Sequence, residues 1–335
     1  MVGIGIIGVG YWGKNHVSSY KTLLQENRID YLKVCDINED RVKEISEINS
    51  IEYTTKIEDI FNDDKITAVV IVTPSSTHYE LTKLALENDK DVFVEKPLTL
   101  NSNDSLKLIE LANQKHKKLM VGHLFRYHPA VKAIKKRIDN GELGKIQMIL
   151  TSRLALGVPR KDMGVILALA VHDLDLFCYL LNKNEPESIL VDNGKFHQDE
   201  VVETTNISLN FENNTKGYIM ESWNIPVYGK KRELVIVGSE KSALVNYLTP
   251  SEYTIFDSSI KKIQSSDYCY FEKHNNGIQK ISIEYKEPLK QEILHFIECL
   301  ENGACPISDG VVGYNAVKMC EKARLSAEKN ERIYF

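Results

Sequence analysis

One residue in this chain has the type and setting to move protons. Lys96 closes the run Asp91-Val92-Phe93-Val94-Glu95-Lys96-Pro97. Val92, Phe93 and Val94 are β-favouring and apolar, and a Glu-Lys-Pro stop follows at once, which predicts a short buried strand. Pro97 biases Lys96 away from helical backbone, and an X-Pro bond is where a cis peptide is readily tolerated. The amine thus sits on a fixed backbone at the carboxyl end of a strand, where open parallel sheets bind ligands. The alternative is a plain surface lysine. His172 stands in the apolar stretch Ala168-Leu169-Ala170-Val171-His172-Asp173. A histidine in such an apolar stretch is readily a satisfied core residue.

A second constellation opens the chain. The apolar run from Val2 to Ile7 leads directly into Gly8-Val9-Gly10-Tyr11-Trp12-Gly13, and a helix from about Trp12 to Gln25 follows. Gly8 serves the tight turn, Gly10 lets a pyrophosphate approach the backbone, and Gly13 lets the helix pack on the sheet. Tyr11 and Trp12 lie in the same turn. Free N–H groups and the helix dipole suit a phosphate there. Asp36 ends the next strand, Tyr31 to Asp36, at the spacing from which a carboxylate takes ribose hydroxyls. A carboxylate repels a 2′-phosphate, so NAD is expected over NADP, although Arg41 nearby could blunt that preference. Thr73 and Pro74 leave the strand Thr67 to Thr73 and are candidates to line the nicotinamide end. His78 and Glu95 belong to the same expected cofactor set, with His78 read as a packed histidine at a helix start rather than a catalyst. A lysine partly desolvated beside a cationic ring should lose its proton more readily, as a general base requires.

Positioning these groups requires a doubly wound parallel sheet. Strands alternate with helices of ten to fifteen residues through Gly122, the last pair being the helix Asn103 to Lys115 and the strand Lys118 to Gly122. Beyond Gly122 the rhythm changes. A helix from Pro129 to Asn140, a strand from Lys145 to Leu154 and a long apolar helix from Val165 to Leu181 precede strands near 187–194, 201–211, 215–223, 231–238 and 242–247. Shorter strands are expected to about 284, then helices from Leu289 to Glu301 and Asp309 to Lys329. Successive strands without helices mean an open, mostly antiparallel sheet of α+β type. The expected division is a Rossmann domain over 1–122 and a substrate-binding, oligomerising α+β domain over 123–335.

Composition is that of an ordinary globular protein. Of 335 residues, 43% are hydrophobic and 27% charged, and the net charge of −5 with no basic block argues against nucleic acid or an anionic membrane. The six cysteines form no C-x-x-C pair, which points to reduced thiols and no metal site. The opening residues carry no cleavage signature and no run approaches a membrane span, so a cytoplasmic protein is expected.

With Glu95-Lys96-Pro97 and Ala168-x-x-x-His172-Asp173 added to the nucleotide fold, the chain resembles the glucose–fructose oxidoreductase, inositol dehydrogenase and rhizopine-catabolism family. The resemblance spans essentially the whole chain. It implies NAD- or NADP-linked oxidation or reduction at a ring carbon of a sugar, cyclitol or nucleotide sugar. Lys96 falls at the family's catalytic lysine, whose Lys-Pro bond is often cis, and His172 at the histidine beside the reacting hydroxyl. A narrower likeness, to dehydrogenases acting on the 3-hydroxyl of UDP-N-acetylglucosamine, rests on Gly122-His123-x-x-Arg126-Tyr127-x-Pro129, Gly141-Glu142-Leu143-Gly144 and Arg160-x-Asp162-x-Gly164-Val165. Trp223-Asn224-x-Pro226 and Gly238-Ser239-Glu240 add to it. It makes Arg126, Tyr127 and Arg160, beside Lys96 and His172, candidates for sugar or diphosphate contacts, an arginine fork matching phosphate. Each has a structural alternative, and Trp223 is either a stacking platform or core. The pattern departs at Ala168, where the family carries an acid one helical turn before the histidine. Asp162 is a conceivable substitute; Asp173 and Asp175 do not share the face. Myo-inositol or a simple sugar as substrate, and a non-catalytic NAD-binding sensor, are the competing readings. A homodimer or homotetramer is expected, with a second subunit covering one face of the open sheet.

Overall fold

The computed structural model describes residues 2–161, 163–265 and 268–335. The elements run β1 (Gly3–Ile7), α1 (Gly13–Gln25), β2 (Tyr31–Cys35), α2 (Glu39–Asn49), β3 (Glu52–Thr54), α3 (Glu58–Phe61), β4 (Ala68–Ile71), α4 (His78–Glu87), β5 (Asp91–Glu95), α5 (Ser102–Gln114) and β6 (Leu119–Gly122). There follow α6 (Pro129–Asp139), β7 (Ile146–Ala155), α7 (Val171–Leu181), β8 (Ser188–Gly194), β9 (Thr204–Phe211), β10 (Thr215–Ser222), β11 (Lys230–Gly238), β12 (Ser242–Asn246), β13 (Glu252–Gln264) and β14 (Cys269–Ser282). Helices α8 (Pro288–Asn302) and α9 (Gly310–Lys329) and the short β15 (Ile333–Tyr334) close the chain. One compact unit takes Met1–Tyr127 with Glu287–Lys318, the other His128–Lys286 with Met319–Phe335. The boundary expected after Gly122 therefore moves to Tyr127, and a late segment returns to the first unit. Its chemistry explains the return: Leu289, Ile293, Phe296 and Ile297 make one apolar stripe on α8 and join the core around α1.

In the first unit the strands are parallel and ordered β3-β2-β1-β4-β5-β6. The order reverses between β1 and β4, which places the ligand crevice at the carboxyl ends of those strands. Alternation within each apolar run feeds two cores. Ile4, Ile6, Val70, Phe93 and Met120 face α1 and α8, while Val69, Ile71, Val92, Val94 and Val121 face the opposite layer. Glu95, two residues past Phe93, therefore continues the α1 side of β5.

The second unit holds a nine-stranded sheet ordered β14-β13-β12-β11-β7-β10-β9-β8-β15. Among the described residues only β7 and β10 pair in parallel; the remaining pairs are antiparallel. Alternation buries one face, with Ile207, Leu209, Ile219, Leu234, Ile236 and Val245 nearly inaccessible. The other face remains open: Leu190, Ser208, Tyr218, Leu150, Val235 and Leu244 pair across it in one row, and a shallow groove of about 470 Å³ lies along it. Two expectations change here. The region to residue 284 forms one long hairpin, β13–β14, instead of several short strands. The helix expected as continuous from Val165 begins with a π-helical turn at Ile166–Ala170 before α7.

Candidate active site

The glycine turn has the shape a dinucleotide requires. Gly8 has φ of +94°, and a Cβ on it would lie 2.7 Å from the Val72 carbonyl oxygen. A Cβ on Gly13 would lie 2.2 Å from the Gly8 carbonyl oxygen, whereas nothing stands within 4 Å of that position on Gly10. The turn is thus closed toward the protein and open where phosphate would approach α1. Asp36 is buried at the turn, its carboxylate accepting the Val9 N–H at 2.9 Å and the Asn38 N–H at 2.9 Å. Arg41 reaches the same carboxylate at 3.4 Å while its side chain stays 44% exposed. Tyr11 projects into solvent beside Gly10.

Lys96 follows β5 through a cis Lys96–Pro97 bond. The groups around its backbone are fixed. Oε1 of Glu95 accepts the Trp12 indole N–H at 2.7 Å and lies 2.8 Å from Nε2 of His16, while Oε2 accepts the Lys96 main-chain N–H at 3.2 Å. The carboxylate lies over Gly122, its register partner on β6, where an added Cβ would come within 3.0 Å of it. Burial would raise the Glu95 pKa, but the His16 bond and charge, the Trp12 N–H and the Lys96 charge hold it below the usual carboxylate range. Because the Trp12 indole N–H goes to Glu95, a cofactor contact from Trp12 would come from its main chain or ring face.

On the far side of Lys96, His78 is almost fully buried between two carbonyls, Nδ1 at 2.7 Å from Pro97 O and Nε2 at 3.0 Å from Thr73 O. Burial pushes its imidazole pKa down against the pull of those carbonyls. It ties the Thr73-Pro74 segment to the Lys96-Pro97 segment. Thr73 Oγ1 pairs with Thr77 Oγ1 at 2.6 Å.

Tyr127 is one of the expected substrate contacts. It is fully buried, with its hydroxyl 3.2 Å from Ser308 Oγ and its ring against His295, because the return of the 287–318 segment covers it. Arg126 is also buried and donates to the Ile307 carbonyl at 2.6 Å, which makes it a tether for the same returning segment.

In the second unit His172 is partly exposed on the first turn of α7. Its neighbour Asp173 is fully buried and takes a two-pronged bond from Arg153, at 2.6 Å to Nε and 2.8 Å to the second guanidinium nitrogen. Glu221 stands 3.8 Å from the same arginine and the Tyr247 ring 5.2 Å away. Asp173 is therefore a structural partner of Arg153. Ala168 sits within the π-helical turn, buried among apolar neighbours in sequence. Asp162 lies outside the described residues. Arg160 is exposed, and its carbonyl accepts from Gln198 at 2.9 Å; Trp223 is half-buried.

His16 escaped the sequence reading, and Gly122 entered it only as a strand end and a motif residue, not as the seat of the Glu95 carboxylate. The available signal was the i, i+4 spacing of Trp12 and His16 on the nucleotide-binding helix, which puts both on one face.

Residues 2–123 match the NAD-binding Rossmann fold of an oxidoreductase family, and residues 131–244 match the Gfo/Idh/MocA C-terminal domain. The chain belongs to that family, the one the sequence resembles, and is an NAD-binding oxidoreductase of the sugar and inositol type. Myo-inositol 2-dehydrogenase of Thermotoga maritima is 26% identical over 341 residues, covering 98% of this chain and 97% of that protein. UDP-N-acetylglucosamine 3-dehydrogenase of Acidithiobacillus ferrooxidans is 32% identical over 186 residues, 55% of this chain and 56% of that protein. Its solved structure has a TM-score of 0.79 at 23% identity, covering 97% of each chain. Levoglucosan dehydrogenase solved with NADH and levoglucosan has a TM-score of 0.84 at 21% identity over 99% of each chain. The two structural likenesses speak to the fold.

No described helix is long and apolar enough to cross a membrane. Among the described residues no disulfide is formed.

Proposed function

We propose that this chain oxidises a ring hydroxyl of a nucleotide sugar, the 3-hydroxyl of a UDP-N-acetylhexosamine, with NAD preferred over NADP, in the cytoplasm. The observation that carries the reading is the anchored Lys96 at the carboxyl end of β5, in the same compact unit as the glycine turn and Asp36. Gly8, Gly10, Gly13 and the start of α1 would hold the pyrophosphate, Asp36 the adenosine ribose, and Thr73-Pro74 the nicotinamide end. When bound, the nicotinamide supplies the hydride acceptor. Lys96 takes the hydroxyl proton, a role worth roughly 10²–10⁴-fold when the base is well placed. His172 is assigned as the second partner of that hydroxyl, and Arg160 as a contact for the diphosphate.

The nucleotide-sugar reading is supported by the 32% identity to the Acidithiobacillus enzyme. Myo-inositol is the second reading, favoured by the Thermotoga relative that matches over nearly the full length. Purified protein mixed with NAD and each candidate, followed by nicotinamide absorbance, separates them. UDP-N-acetylglucosamine is expected to give at least a single-turnover signal; silence there with turnover of myo-inositol sinks the preferred substrate. Running the same reaction with NADP tests the Asp36 argument.

A second copy of the chain is the proposed cover for the open face of the nine-stranded sheet, where Leu190, Tyr218 and Met220 are exposed. Light scattering should show a dimer or tetramer, and Tyr218→Glu with Met220→Glu should dissociate it.

A further inference from the structure

We infer that His16 is a positioning residue for Lys96, acting through the Glu95 carboxylate from the helix that follows the glycine turn. This rests on the proposed role of Lys96 and adds a residue to it. The geometry has three parts. His16 is fully buried, with Nε2 at 2.8 Å from Glu95 Oε1, and its ring lies edge-on to Phe93 at 5.5 Å, which leaves the imidazole little room to turn. Trp12, one helical turn before it, supplies the second bond to the same oxygen at 2.7 Å. The other oxygen accepts the main-chain N–H of Lys96 itself, and Gly122 leaves room for the carboxylate to lie there and no more.

A carboxylate gripped at one oxygen by side chains from the cap and first turn of α1 and bonded at the other to the Lys96 backbone is a strut. It ties the helix that would receive the pyrophosphate to the strand end that carries the base. A glutamate at this position without His16 would still reach Trp12, but one donor allows the carboxylate to rotate about that bond and carry the Lys96 backbone with it. Base catalysis is sensitive to such displacement, since an ångström of misplacement costs on the order of 10²-fold in rate. NAD affinity comes from the glycine turn and Asp36, which His16 does not touch.

The test compares His16→Leu, which removes the donor and keeps an apolar filler, with His16→Gln, whose amide nitrogen can stand in for Nε2. Three quantities are read: kcat with whichever of UDP-N-acetylglucosamine or myo-inositol the native protein turns over, Kd for NADH by fluorescence, and the rate at which acetic anhydride labels Lys96 in the protein without NAD, by peptide mass. His16→Leu should lower kcat tenfold or more, leave Kd for NADH within about twofold and change the labelling rate at least threefold. His16→Gln should restore both kcat and labelling to within about threefold of the native protein. Native-like kcat and labelling in His16→Leu overturn the inference, as does a parallel loss of NADH affinity and kcat, which would make His16 a support of the nucleotide helix only. Should His16→Leu fail to fold, Gly122→Ala presses on the same carboxylate from β6, and an unchanged kcat there overturns the inference equally. Lys96→Ala is run alongside. Turnover surviving in Lys96→Ala removes the proposed base, whereas a dead Lys96→Ala with a normal His16→Leu removes the strut alone.

Discussion

Lys96 and His172 each sit next to a buried carboxylate in sequence, and the two carboxylates are held in opposite ways. Glu95, before Lys96, is gripped by neutral or weakly basic donors, an indole and an imidazole, and gives its remaining oxygen to the main-chain N–H of Lys96. Asp173, after His172, is clamped by both prongs of a buried arginine that also stands near Glu221 and the Tyr247 ring. The first arrangement acts on the Lys96 backbone itself. The second fixes the helix on which the histidine rides. A buried carboxylate beside a reactive residue can therefore aim that residue directly or hold only its scaffold, and its partners tell which.

Mutations can break this contrast. Lys96→Ala should produce the largest catalytic effect, a fall in kcat/KM of roughly 10²–10⁴-fold with NADH affinity nearly unchanged, read by steady-state kinetics and fluorescence titration. Arg153→Met strips the clamp from Asp173 and leaves a charge buried without its partner, at a cost of about 3–5 kcal/mol by urea unfolding. The double variant Arg153→Met with Asp173→Leu should recover much of that loss, which Glu95-side substitutions have no means of doing.

A smaller effect concerns the surroundings of the Arg153 clamp. Burial, followed by the charge of Arg153, lowers the His128 pKa to about 4. Its ring lies edge-on to Tyr247 at 5.2 Å. In the unfolded chain the same histidine protonates near its ordinary value of about 6.5. Between those values the unfolded state binds more protons, so stability falls as pH drops from about 6.5 toward 4, by at most about 3 kcal/mol. Denaturant midpoints across that window should show the loss, and His128→Phe should flatten it. The smallest effect is expected at the glycine turn. Asp36→Ala removes an acceptor from the Val9 N–H and should weaken NAD binding about tenfold, near the 1–3 kcal/mol of an unmet buried donor, while narrowing the preference over NADP.

Much of this was legible in the residues. The first sheet follows from unbroken apolar runs that only a strand buried on both faces requires, and the nucleotide turn from glycines whose lack of a Cβ is needed at Gly8 and Gly13. The motif around Lys96 led to the family that the comparisons bear out. Other features were hidden because they depend on residues far apart in sequence. Arg126 and Tyr127 read as substrate contacts because arginine and tyrosine so often serve there, and nothing local revealed that residues 287–318 return to cover them. Asp173 carries no mark of its partner Arg153. The π-helical turn at Ile166–Ala170 looks like helix by periodicity, since one widened turn barely alters an apolar pattern.

By itself the sequence determined the alternation of strands and helices, the open turn for a dinucleotide and the lysine held extended before a proline. Each of those is set within a few neighbouring residues by sterics and hydrophobic period. Only the tertiary structure decided which carboxylates are anchors, which arginine is a clamp and that a histidine on the nucleotide helix grips the glutamate beside Lys96. Those depend on side chains meeting across elements, where burial turns a single hydrogen bond into a fixed position.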